Sequence, residues 1–175
     1  MNFRYLKADE IDCRVAQTFN NKDGSIKGLT LLLYKDARCD MNVLDESGMV
    51  WQRKHYECKG NLFCSVGILI NNEWVWKDDC GSESYTEKEK GEASDSFKRA
   101  CVNWGIGREL YTSPLIYIPL ADQNGQANFE TYEKNGKIHP KANFVVSELV
   151  VEDGKITHLT IINSKFKTIV FDWSV

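Results

Sequence analysis

The chain has no uninterrupted apolar run of roughly 18 residues, the length that a membrane-crossing helix needs. Its opening, Met1-Asn2-Phe3-Arg4-Tyr5-Leu6-Lys7-Ala8-Asp9-Glu10, lacks the apolar centre of a signal peptide, so the expectation is a cytoplasmic protein without a membrane partner. Metal motifs are missing too. The six cysteines stand singly at 13, 39, 58, 64, 80 and 101, and the three histidines at 55, 139 and 158 do not accompany them at ligand spacing. No Cys-x-x-Cys occurs, and this pattern favours buried free thiols over zinc or disulfides. There is no Gly-x-x-x-x-Gly-Lys-[Ser/Thr], which removes a P-loop ATPase. Gly105-Ile106-Gly107-Arg108 lacks the third glycine of a dinucleotide fingerprint and ends a helix instead of following a strand. No Ser/His/Asp or Cys/His arrangement is legible. An excess of positive charge is also missing. The formal net charge of −3 weighs against nucleic-acid binding, although local charge placement, not the sum, sets the field at a groove.

What is present is ordinary globular material: 42% apolar and 27% charged residues in a chain of 175, the size of a single domain, 1–175. The most informative stretch runs from Ser84 to Gly105. It predicts one long helix, with Thr86 as cap, Glu89 as its capping-box partner and Gly105 as the stop. At 100° per residue, Ala93, Phe97, Ala100, Cys101 and Trp104 share one apolar stripe. Lys98 and Arg99 lie off that stripe. A helix with one buried side and one cationic side suits a binding surface better than an active site.

In chain order, Ala8, Ile11, Val15 and Phe19 fall at helical spacing and predict a helix over 4–19 that carries Arg14. Residues 28–34 form a buried or edge strand, and a short helix follows from Asp36 to about Gly48. Three strands come next, Trp51–Cys58, Leu62–Ile70 and Glu73–Cys80, the last two joined by Asn71-Asn72 as a tight hairpin. In the middle strand Leu62, Cys64, Val66, Ile68 and Ile70 share the face expected to pack on the long helix. Beyond it lie a short strand at 115–119, a polar segment at 121–143 with Asn124-Gly125 and Asn135-Gly136 turns, and a meander over 144–151, 156–163 and 168–173. The expected class is α+β: a β-β-β-α core, its antiparallel sheet packed on one long helix, with an N-terminal helix and a C-terminal β-meander.

Ser94-Asp95-Ser96-Phe97-Lys98-Arg99-Ala100, followed by Trp104-Gly105, resembles the signature [Ser/Thr]-Asp-x-Leu-Lys-Arg-Ala-x-x-x-aromatic-Gly of the Rad-fifty-two family of single-strand annealing proteins. Trp104-Gly105-Ile106-Gly107-Arg108-Glu109-Leu110-Tyr111 is similar to the form in its phage branch, the Sak-type annealases, and in related bacterial DNA-repair proteins. The resemblance covers about residues 10–111; Phe97 replaces the usual leucine, and the extension over 112–175 has no clear counterpart in the eukaryotic members. It implies an annealing core over 4–111 that assembles into rings or arcs and anneals complementary strands without ATP and without a covalent step, so the resemblance implies no enzyme, no catalytic residue and no cofactor. The implied partners are single-stranded DNA, further copies of the chain, and a single-stranded DNA-binding protein or an exonuclease.

Carried over by residue, Lys98 and Arg99 match the family's phosphate-binding Lys-Arg pair, and Arg14 resembles its N-terminal groove arginine. Physics alone adds Arg53, Lys54 and Lys59 on the first hairpin and Lys77 near the end of the third strand as groove cations. Each has a plainer alternative. Arg99 stands four residues after Asp95 at salt-bridge spacing, and Trp74 and Trp76, which share a strand face, are either core or base-stacking groups. Two other functions stay open: a metal-dependent nuclease using Asp78, Asp79 and Glu83, and a scaffold that binds no DNA.

Overall fold

Asp12–Asn20 is a β-strand, where the spacing of Ala8, Ile11, Val15 and Phe19 predicts a helix. Its burial has a period of two: Cys13 and Val15 are half-buried while Asp12, Arg14 and Ala16 are exposed. Pairing decides the matter, because β1 (Asp12–Asn20) runs antiparallel to β2 (Ile26–Tyr34) along its length and meets β9 (Phe144–Glu152) at Asp12 and Val145. Cross-strand partners outweigh a marginal helical spacing. Only one 3-10 turn, Ala8–Glu10, remains of the expected N-terminal helix.

A computed structural model describes residues 2–81 and 88–175, without the side chains of 88–90. Thr86 and Glu83 lie outside the described residues. Half of the chain is strand and 19% is helix, so the expected α+β class is corrected to a mostly-β chain. The remaining elements, in order, are α1 (Ala37–Glu46), β3 (Trp51–Cys58), β4 (Asn61–Ile70), β5 (Glu73–Cys80), α2 (Lys88–Asn103) and β6 (Ile116–Pro119). They continue with β7 (Thr131–Lys134), β8 (Lys137–Pro140), β10 (Lys155–Asn163) and β11 (Thr168–Ser174). The chain divides into two compact units, one of residues 1–6 and 35–108 and one of residues 7–34 and 109–175.

The second unit is a six-stranded antiparallel sheet in the order β11-β10-β9-β1-β2-β6. Its edge strands β11 and β6 approach each other, so the sheet nearly closes into a barrel and leaves little free edge. Leu29, Ile118, Leu159 and Ile161 are fully buried inside it. The polar segment before the meander holds the β7–β8 hairpin, turned by Asn135-Gly136 with both residues at positive φ.

The first unit holds the three-stranded sheet β3-β4-β5, turned at Lys59-Gly60 and at Asn71-Asn72, all four with positive φ. On α1 the Asp36 carboxylate caps the Arg38 amide at 2.5 Å, and Val43 and Leu44 are buried. Helix α2 packs on β4 and β5. Phe97, Ala100 and Cys101 of α2 and Cys64, Val66 and Ile68 of β4 are all fully buried. Burying a side chain the size of Phe97 contributes about 1.5–3 kcal/mol, so this contact fixes how the helix sits.

Candidate nucleic-acid interface

Strand alternation divides the β3-β4-β5 sheet into two chemically different faces. On the α2 side, Arg53 and Lys77 both stand opposite Val66, one on each neighbouring strand. The Arg53 guanidinium lies 4.5 Å over the Phe97 ring, and the Lys77 ammonium lies 4.5 Å over the Trp104 ring. Lys77 also donates to the Asn103 carbonyl at 2.8 Å. In the next row His55 Nε2 is 3.1 Å from the Ala93 carbonyl oxygen. Two of the expected groove cations thus grip the helix from either side.

Beyond Asn103 the chain ends α2 with several interlocking contacts. The Trp104 indole donates to the Val66 carbonyl at 2.9 Å, and Arg108 donates to the carbonyls of Val102 and Asn103 at 2.9 and 3.0 Å. Gly105 and Gly107 have φ of 98° and 71°, the left-handed region that favours glycine. Lys35, almost fully buried, donates to the fully buried Asp40 and approaches the Lys98 carbonyl at 3.5 Å. Burial pushes the Asp40 carboxyl up to about 6 against the pull of the Lys35 charge, and its Oδ2 has no hydrogen-bond partner among the described residues.

Lys98 and Arg99 lie on the outer side of this anchored helix, their side chains 27% and 48% exposed. They diverge. The Lys98 ammonium stands 3.9 Å from Asp95 Oδ1, and its charge is felt at Asp36 and Asp40 of the α1 region. Arg99 leans the other way, with Nε 3.2 Å from Asp79 Oδ1 on β5, an ion partner that helical spacing alone does not suggest. A half-exposed pair of this kind is worth about 0–1 kcal/mol, so a phosphate can compete for either cation.

The other expected cations sit elsewhere. Lys54 follows Arg53 directly and therefore points to the opposite face, so the two do not line one groove. Lys59 is exposed at the β3–β4 turn. Arg14 is exposed on β1, opposite Leu32, in the other unit. Asp78 and Asp79 also face opposite ways, and each is engaged: Asp78 accepts from Ser65 at 2.5 Å and Tyr56 at 2.7 Å, while Asp79 accepts from Arg99 and from the Cys80 amide at 2.8 Å. The two carboxylates do not converge, and among the described residues no three His, Cys, Asp or Glu form a metal-binding group.

The face away from α2 carries the aromatic residues for which core packing and base stacking are both open on sequence grounds. There Trp74 and Trp76 stand 5.8 Å apart, Tyr56 stacks on Phe63 at 5.5 Å, and the Lys54 ammonium lies 4.4 Å over Trp76. Tyr56 and Trp74 are 38% and 39% exposed. The Trp76 ring lies on Gly67, where an added β-carbon would meet it at 2.7 Å. The Tyr56 hydroxyl is pushed up to about 12 because it donates to the Asp78 carboxylate. The period-two placement of Trp74 and Trp76 is the sequence signal for this face, but spacing cannot show whether a face is covered.

Burial pushes the Cys13 and Cys64 thiols up to about 12 and about 11, and raises Cys101 further, so none of the three is a thiolate at neutral pH. Comparisons of the chain with protein-family models, with curated proteins and with solved structures give no match.

Proposed function

We propose that the chain binds single-stranded DNA and, as a homo-oligomer, anneals complementary strands without ATP. The observation that carries this reading is the placement of the Lys98-Arg99 pair. The residues that resemble the annealing signature hold the pair on the exposed side of a helix whose other side is fully buried against β4. Fixed cations on a rigid element suit phosphate contacts, because little ordering cost remains at binding. Single strands repel themselves, and binding their phosphates releases counterions and lowers that repulsion. With the Watson–Crick edges left free, a second strand samples registers and base pairing supplies the specificity. No covalent step is involved.

The test is annealing of two complementary oligonucleotides, one fluorescent and one carrying a quencher, without nucleotide and without magnesium. Acceleration over the spontaneous rate supports the reading; the spontaneous rate, at protein in excess of strands, overturns it. Light scattering in the same buffer tests the assembly, and a strict monomer with and without DNA would remove the oligomer.

A further inference from the structure

We propose that the aromatic face of the β3-β4-β5 sheet is a base-stacking platform for a single strand, with Trp74 taking a base, Trp76 backing it and Lys54 taking a phosphate. This rests on the single-strand reading above but concerns a different surface, because Lys98 and Arg99 belong to the helix on the other side of the sheet.

Three observations support it. First, the rings are presented on a rigid base: Trp76 lies against Gly67 and Trp74 lies 5.8 Å from Trp76, with 39% of Trp74 open to solvent. Aromatic rings held on strands stack bases with little sequence preference, because every base has a π-face. Second, a cation stands beside the rings. The Asp78 carboxylate on the same face is turned onto the Ser65 and Tyr56 hydroxyls. Lys54, four residues before Cys58 on the edge strand, is exposed and rests only on the Trp76 ring, with no carboxylate partner among the described residues. Its ammonium is thus poised beside the stacking surface. Third, stacking leaves a base's Watson–Crick edge free, so a strand held this way remains able to pair. The face therefore fits annealing, where a pocket enclosing each base would not.

The experiment titrates fluorescein-labelled oligothymidylate into the full chain, following anisotropy and intrinsic tryptophan fluorescence, with adducts mapped by ultraviolet crosslinking and mass spectrometry. Wild-type protein should show tryptophan quenching and adducts on the peptide that contains Trp74 and Trp76. Trp74→Ala should weaken binding roughly 5- to 150-fold, the range for removal of one base–aromatic stack. Lys54→Glu should weaken it too and flatten the salt dependence, and it leaves both rings in place if Trp74→Ala fails to fold. Lys98→Ala/Arg99→Ala is the control that separates the two surfaces. If that variant loses binding while Trp74→Ala and Lys54→Glu keep wild-type affinity, the platform is wrong and the single-strand reading stands. If wild-type protein does not bind the oligonucleotide at all, both fall. If Trp74→Ala breaks an oligomer into monomers at unchanged DNA affinity, the face is a contact between copies and the proposal is overturned.

Discussion

The stem of Lys35 crosses the position where a side chain on Gly107 would stand. A β-carbon built at Gly107 falls 2.5 Å from Lys35 Cε and 2.7 Å from its Cδ, and the φ there is 71°. This glycine is the channel by which a lysine reaches the buried carboxylate of Asp40. Gly107→Ala combines left-handed strain with a displaced buried ammonium, and should destabilise the protein by about 2–4 kcal/mol. Urea unfolding checks it. Gly24→Ala, also at positive φ but with open space around its Cα, is the control and should cost about 1 kcal/mol.

Asp40 makes stability depend on pH in an unusual direction. Its folded-state value is raised to about 6 from 3.8, so the native state binds this proton more tightly than the unfolded chain. The stability from that proton is fully present below about pH 4 and is lost as the pH rises through about 6. A shift of that size corresponds to at most roughly 3 kcal/mol. Relative to Asp40→Asn, which does not titrate, the wild type should lose stability between pH 4 and pH 6 and stay level above. Paired urea curves across that window measure the difference, and an opposite slope would overturn the assignment.

Lys98→Ala/Arg99→Ala should remain folded. Both side chains are partly exposed and their ion pairs face solvent, so the combined cost of losing the two pairs is about 2 kcal/mol or less. Single-strand affinity should nonetheless fall and its salt slope should shrink, by about 0.7 for each phosphate no longer neutralised. In the proposed oligomer the change is repeated in every subunit along one strand, which should make annealing more sensitive than stability.

Asp79→Asn tests the competition directly. It removes the carboxylate that holds Arg99 at 3.2 Å, yet keeps a polar group near Asn103. One competing carboxylate is then removed from the arginine, and single-strand affinity should rise at low salt, by no more than the roughly 0.2–1 kcal/mol of such a pair. Incubation of the same variant and of wild type with magnesium or manganese should leave the oligonucleotide intact.

Thiol chemistry offers a check on the core. Cys39, Cys64 and Cys101 are buried, Cys13 and Cys80 are half-covered, and Cys58 is exposed beside the β3–β4 turn. A thiol-reactive dye should label Cys58 first, and Cys58→Ser should abolish the fast phase without moving the unfolding midpoint.

Strands β3 to β5 and the C-terminal meander were legible because their alternation coincides with positive-φ turns, Lys59-Gly60, Asn71-Asn72 and Asp153-Gly154 among them. The first strand was not, because Val15 and Phe19 satisfy two periods at once and only the partner β2 decides between them. The near-closure of β6 against β11 depends on residues more than 40 positions apart, which no local pattern records. At the candidate site, helical spacing put Lys98 and Arg99 outside the stripe, but it could not find Asp79 as a partner from another element. It also grouped Arg53 with Lys54, which one step along a strand sends to opposite faces.

The end of α2 has a consequence for how such chains are recognised. Trp104, Gly105, Gly107 and Arg108 bind a strand carbonyl, turn the backbone, make way for Lys35 and cap the last helical carbonyls. All four act on the protein itself. Their occurrence in a sequence therefore reports how a helix is finished, whatever ligand the chain meets. Lys98 and Arg99, whose side chains the helix terminus does not use, are the positions of this stretch where a change should cost the architecture least.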